Sequence, residues 1–250
     1  MSPAVLPPPT EADAPARPRA ETGVDVGSFG AAANAPRTAG DLARRLGVSP
    51  DRVRLLPAPG TATMDDAVRL SERGEGLFEL VDGTLVEKAM GWTEAMLGQE
   101  LGRQLGNAAA EGRHPSCVVG ADGFSKAGRS KNLVRMPDVG VFLLANFPPG
   151  TDFADIKVAD HPADLAVEVL SESNTVEEMT RKRCEYFEAG TSLVWIADHR
   201  RRTVEVWSSA SQMRLLSDGD ALDGGDVLPG FSLGVSEWFD SLPAAGGRAS

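Results

Sequence analysis

In FELVDGTLVEKA, two runs of alternating apolar and polar residues flank the pair Asp82-Gly83, which predicts a β-hairpin with a type I′ turn. Between Thr93 and Glu111 the apolar residues Met96, Leu97, Leu101, Leu105 and Ala108 recur at helical spacing. Strands are expected at Ser116–Ala121 and Val134–Leu144, separated by a turn rich in Gly, Ser and Lys. LAVEVLS, from Leu165 to Ser171, reads as another strand. Ser173 or Asn174 then caps a helix that runs to about Ala189 and stops at Gly190. LVWIA and TVEVW form a closing hairpin around the basic turn HRRR. A polar stretch, SDGDALDGGD, precedes VLPGFSLGVSEWF, whose end is expected to be a short helix. Upstream, a short helix is predicted at Gly40–Leu46, stopped by Gly47, and Thr63 caps another with Asp65 and Asp66 in its first turn. The order of hairpin, helix, strands, helix and strands points to an α/β sandwich around one mixed sheet.

This pattern divides the chain. Residues 1–38 are rich in Pro and Ala without apolar periodicity and are expected to be a disordered tail. Residues 39–76 read as a short helical lead-in, 77–240 as the compact domain and 241–250 as a second disordered tail. A hydrophobic fraction of 42% against 24% charged residues fits a globular protein. The start, MSPAVLPPPT, lacks the basic and apolar segments of a secretory signal, and no apolar run is long enough for a membrane span. Cys117 and Cys184 lie in no CxxC pair. A cytoplasmic protein with no membrane partner is therefore expected. The net charge of −11 disfavours coating of nucleic acid by bulk charge but allows a local basic groove.

Three acids stand in apolar strand contexts. Glu168 has apolar neighbours on both sides, Asp138 opens the strand after Pro137, and Glu79 lies within LFELVDG. A buried carboxylate is costly unless paired or metal-bound, so the three together suggest convergence on a hard cation such as Mg²⁺. Each alone is equally consistent with a salt bridge to an arginine. On the following helix Lys182 and Tyr186 share a face, and Lys182 either reaches back over the sheet to the acids or pairs with Glu178 at i,i+4. Arg181, between Glu177 and Glu185, reads as part of a surface ladder. The histidines are scattered, and neither a GxSxG elbow nor a phosphate-binding glycine loop is present.

PD followed about thirty residues later by EVLS, and then a helix carrying K…YFEAG, resembles the PD-(D/E)XK nuclease superfamily. FELVDGTLVEK, RMPDVGVF, DLAVEVLS, LVWIAD and DGGDVLPGF follow in the order of its Uma-type restriction-endonuclease-like family. The resemblance implies a restriction-endonuclease-like mixed β-sheet core flanked by helices. It implies a DNA endonuclease dependent on Mg²⁺ or Mn²⁺, with Asp138 and Glu168 as metal ligands and Glu79 as a further acid. The residue two beyond Glu168 is Leu170, not lysine. The signature lysine is therefore carried over to Lys182 on the helix. Relatives often have a histidine at the start of the first long helix, where this chain has Trp92, Thr93 and Glu94. In the chemistry so implied, Asp138, Glu168 and the Val169 carbonyl hold the metal while Lys182 orients water or offsets charge. Lys126, Arg129, Lys131 and Arg135 would meet the DNA backbone, unless that segment is only a solvated hairpin tip. The other reading is a catalytically inactive nuclease-fold protein that binds DNA or a protein partner. A homodimer would suit cutting of two strands, but no sequence feature marks its surface.

Deletion of residues 1–36 is expected to leave the melting temperature nearly unchanged, which thermal unfolding monitored by circular dichroism would check.

Overall fold

The structure is a computed structural model and describes residues 36–242, apart from 90, 113, 121–122 and 128–131. The predicted tail 1–38 thus falls almost wholly outside the described residues, as do residues 243–250 of the second tail. The chain opens with helices α1 (Ala39–Leu46) and α2 (Met64–Glu72), each started by a threonine capping box, Thr38 with Asp41 and Thr63 with Asp66. Gly47 ends α1 in the left-handed conformation, as its position in the sequence predicts.

Strands β1 (Phe78–Val81) and β2 (Thr84–Glu87) form the expected hairpin. Its turn has φ of 51° at Asp82 and 68° at Gly83, the double positive φ of a type I′ turn. Alternation sends Phe78, Leu80 and Leu85 towards α2, and Val81 and Val86 towards α1. The 39–76 segment is packed into the same body as the sheet. Arg52 binds Glu178 through two hydrogen bonds of 2.8 and 2.9 Å, and Val53 bridges to Val86.

Next come the long helix α3 (Trp92–Glu111) and strands β3 (Ser116–Gly120), β4 (Ser125–Lys126), β5 (Leu133–Arg135) and β6 (Val139–Leu143). The single strand expected over 134–144 is two strands in different sheets. Pro137 has no N–H for a ladder, and the chain crosses from one sheet to the other at Met136–Asp138. Strand β7 (Leu165–Val169), helix α4 (Val176–Ala189) and strand β8 (Leu193–Asp198) follow. The cap of α4 is Thr175, one residue beyond the expected pair, because Asn174 accepts instead from the amide and hydroxyl of Ser171. Strands β9 (Thr203–Ser209), β10 (Gln212–Leu216), β11 (Ala221–Gly224) and β12 (Leu228–Gly234) lead to the short helix α5 (Val235–Phe239).

The core is a six-stranded mixed sheet in the order β10-β9-β8-β7-β6-β3, with only β7 and β8 parallel. One face packs on α3, α5 and β12 through Leu97, Leu101, Val167, Trp195 and Trp238. The other face packs on α4 through Ala166, Met179, Tyr186 and Val194. The first hairpin belongs to a separate four-stranded sheet, β2-β1-β5-β4, and β11 pairs only with β12. The expected mixed α/β class holds, with the hairpin in a second sheet beside the central one.

Gly83 also touches Gly60: a Cβ at residue 83 would stand 2.7 Å from the Gly60 carbonyl carbon and oxygen. Gly83→Ala is expected to cost about 1–3 kcal/mol in urea unfolding. Gly74→Ala, also at positive φ but with nothing within 4 Å, should cost less, and the difference measures the steric part.

Candidate active site

Four elements bring the predicted acids and lysine together. Asp138 lies where the chain enters β6; its amide donates to the Val167 carbonyl at 2.8 Å, and its Oδ2 accepts from the Val169 amide at 2.6 Å. The β6–β7 register pairs Val139 with Val167, which sets Asp138 beside Glu168 on the neighbouring strand. Glu79 comes from β1 of the other sheet and Lys182 from the inner face of α4. Exposure is 0% for Glu79, 4% for Glu168 and 6% for Asp138, so each carboxylate depends on partners within the protein.

Those partners form a continuous chain of charge. Lys88, just past β2, bonds Asp138 Oδ1 at 2.8 Å and also donates to the Met136 carbonyl. Lys182 Nζ lies 3.2 Å from both Glu168 oxygens and 3.0 Å from Glu79 Oε1. The Tyr186 hydroxyl donates to Glu168 Oε1 at 2.7 Å. Glu79 Oε2 accepts from Arg135 at 2.7 Å, and its Oε1 accepts from the Met136 amide at 3.1 Å. Arg135 continues to Glu185 at 2.8 Å, and Glu185 to Arg181 at 2.6 Å.

These contacts push the titrations in different directions. Burial alone would raise the Glu79 carboxyl, but Lys182, Arg135 and Lys88 outweigh it and hold Glu79 well below the usual carboxylate range. Glu168 shares Lys182 but has no arginine, so burial, reinforced by Asp138 and Glu79, keeps its carboxyl above the ordinary value. Burial opposes the charge on Lys182, yet Glu168 and Glu79 hold it above the usual lysine range and keep the ammonium protonated. Burial, with Glu168 and Glu79, raises the Tyr186 phenol well above its normal value, so it remains a donor.

Glu79, Asp138, Glu168 and Lys182 therefore meet, and Val169 contributes its amide to Asp138. Lys182 does not pair with Glu178, which is bound instead by Arg52 and Asn174. The expected basic patch is dispersed. Lys126, on β4, pairs with Asp160, and Arg129 and Lys131 lie outside the described residues. Arg135 is 1% exposed and cannot meet a DNA backbone, because Glu79 and Glu185 draw its guanidinium inward. Sequence reasoning missed Lys88. At the end of an alternating strand it reads as solvated, and only the surplus of three buried acids over one lysine hints at a second cation.

Arg135→Met should lower stability by about 3–5 kcal/mol in urea unfolding, as expected when one partner of a buried pair is removed. A surface arginine at this position would leave stability unchanged.

A family model described as Uma2, "putative restriction endonuclease", matches residues 64–236. The fold is similar to the crystal structure of a "putative nuclease belonging to DUF820" from Anabaena variabilis ATCC 29413. The TM-score is 0.58 at 15% identity, and the match covers 66% of this chain and 91% of that one. No curated protein matches. Among the described residues no helix is long and apolar enough to cross a membrane. The family match spans the whole site, from the hairpin that carries Glu79 to the helix that carries Lys182, and the chain belongs to the Uma2 family of restriction-endonuclease-like proteins.

Proposed function

We propose that this chain is a DNA endonuclease that hydrolyses phosphodiester bonds with a divalent cation, Mg²⁺ or Mn²⁺. The observation that carries this reading is the convergence of Glu79, Asp138, Glu168 and Lys182 from three strands and a helix onto one buried cluster. The donor set suits a hard cation: Asp138 and Glu168 are neighbouring carboxylates, and the Val169 carbonyl adds a third oxygen ligand. Burial holds the Glu168 carboxyl above its ordinary value despite Lys182, so further positive charge beside it is favourable. Bound there, the ion would supply Lewis acidity that polarises a phosphoryl oxygen and acidifies water.

The protein's own groups do the rest. Hydrolysis forms one P–O bond from water and breaks the bond to the leaving sugar oxygen, which takes up a proton. Lys182 remains an ammonium between Glu79 and Glu168 and offsets the negative charge that grows on the phosphorane. Tyr186 and Glu79 fix Glu168 and Lys182 in place. Lys126, Arg129 and Lys131 remain our candidates for phosphate contacts.

A second reading, an inactive nuclease-fold protein that binds DNA or a protein partner, is favoured by one observation. Lys88 and Lys182 already neutralise the acids, and among the described residues no group of three or more His, Cys, Asp or Glu is arranged to hold a metal. Plasmid nicking with Mg²⁺ or Mn²⁺ separates the two readings. The endonuclease reading expects cleavage by wild type and a loss of about a hundredfold or more in Glu168→Gln, with the fold intact by circular dichroism. Equal activity in that variant, or none in wild type, would overturn it.

A further inference from the structure

Trp92 opens α3 and is 83% exposed, more than any other large apolar side chain among the described residues. The remaining tryptophans are held by the protein: Trp195 and Trp238 are buried, and Trp207 is covered by the Arg183 guanidinium.

The register of α3 on the sheet sets where Trp92 stands. A Cβ at Gly102 would lie 3.9 Å from Val139, and one at Gly98 3.7 Å from the Asp138 carbonyl oxygen. The helix therefore runs along the start of β6, and its first turn projects past Asp138 and the end of the sheet. Ala95, Gly98, Gln99 and Asp138 line one cleft. Trp92 shares a face with Ala95 and Gln99, at i+3 and i+7, which puts the indole at the rim of that cleft.

A cation comes to the same end from β8. Val169 pairs with Ala197 and Val139 with Val167, so the HRRR turn after Asp198 leaves the sheet on the side of Asp138 and Glu168. Arg200 in that turn lies within electrostatic reach of Glu94, two residues along α3 from Trp92. Its partner is Glu172, and both side chains are exposed. A surface pair of this kind is weak, which leaves the guanidinium able to exchange it for a phosphate.

We propose that Trp92 is a stacking platform for an unpaired base and that Arg200 holds the backbone phosphate beside it, so that the cleft takes DNA with a single-stranded segment in preference to continuous duplex. This rests on the reading of the cleft as a DNA site and adds to it the substrate class. Inside a duplex both faces of each base are covered by its neighbours, and only an unpaired, terminal or extruded base offers a face to an indole. An exposed aromatic beside a cation binds single strands by stacking on the base and neutralising the backbone. Every base has a π-face, so the platform selects strand structure and not sequence.

The test titrates the full chain, at low salt with Mn²⁺, with a labelled non-cleavable phosphorothioate oligonucleotide, single-stranded or annealed to its complement. Label anisotropy gives affinity, and tryptophan emission reports stacking. Wild type is expected to bind the single strand more tightly than the duplex, with quenched emission. Trp92→Ala should weaken single-strand binding about tenfold and lose the quenching, with circular dichroism unchanged. Trp92→Phe, which keeps a ring, should retain most of the affinity while losing the quenching. Arg200→Gln should weaken binding and lower the salt slope by about one. Phe153→Ala, an exposed aromatic that packs on Phe147 beyond the far end of β6, should match wild type. Wild-type single-strand affinity in Trp92→Ala, or equal wild-type affinity for single strand and duplex, would overturn the proposal and leave the DNA reading standing. An unchanged salt slope in Arg200→Gln would overturn the part given to Arg200. Binding of neither form by wild type would overturn both the proposal and the DNA reading.

Discussion

Carboxylates held out of water at the junction of two sheets dictate much of the surrounding structure. An ionised acid in an apolar interior is tolerated only if cations and donors are brought to it, and here they arrive from several elements. Lys88 comes from the end of the hairpin, Arg135 from β5, and Lys182 and Tyr186 from α4. The same contacts tie the four-stranded sheet to the six-stranded one, since Glu79 belongs to the first and Glu168 to the second, and Lys182 bonds both. Packing alone would let the two sheets slide, because apolar contacts carry no direction. The ion pairs fix where they sit.

That arrangement divides the labour among the acids. Glu79 is fully surrounded by cations and is the structural anchor of the cluster. Asp138 lines the cleft, and Glu168 beside it has no arginine to offset its burial. A group that is buried yet under-compensated retains chemistry for a ligand, whereas a saturated one does not. From Glu79 to Glu168 the balance passes from cations that outweigh burial to burial that outweighs the cations.

What the sequence made legible follows from how local each signal is. Asp82-Gly83 encodes its turn within two residues, and Gly47 and Gly190 stop their helices by the same left-handed geometry. The acids were visible because a carboxylate inside a run such as LAVEVL conflicts with its neighbours. Other features depend on partners distant in the chain. Met136 is fully buried, so an apolar run continues through the crossing between sheets and conceals it. Strands β10 and β11 lie in polar sequence, and Met213 and Leu215 are left exposed, so neither shows the alternation of a strand against the core. The inward turn of Arg135 and the burial of Lys88 become visible only once all the acids are placed together.

The position of the lysine shows how these levels connect. Leu170 stands two residues beyond Glu168, just past the end of β7, and the ammonium reaches the acid from α4 instead. A lysine on the strand would be positioned by the sheet itself. A lysine on a helix is positioned only as well as the helix is docked. The docking of α4 is itself ionic: Arg52 from the lead-in clasps Glu178, and Arg135 from β5 clasps Glu185, one turn to either side of Lys182. Thr175, which caps α4, also donates to the Gly47 carbonyl at the end of α1. The segment from α1 to Arg52, which looks like a prelude to the domain in sequence, therefore sets the register of the helix that brings the site its central cation.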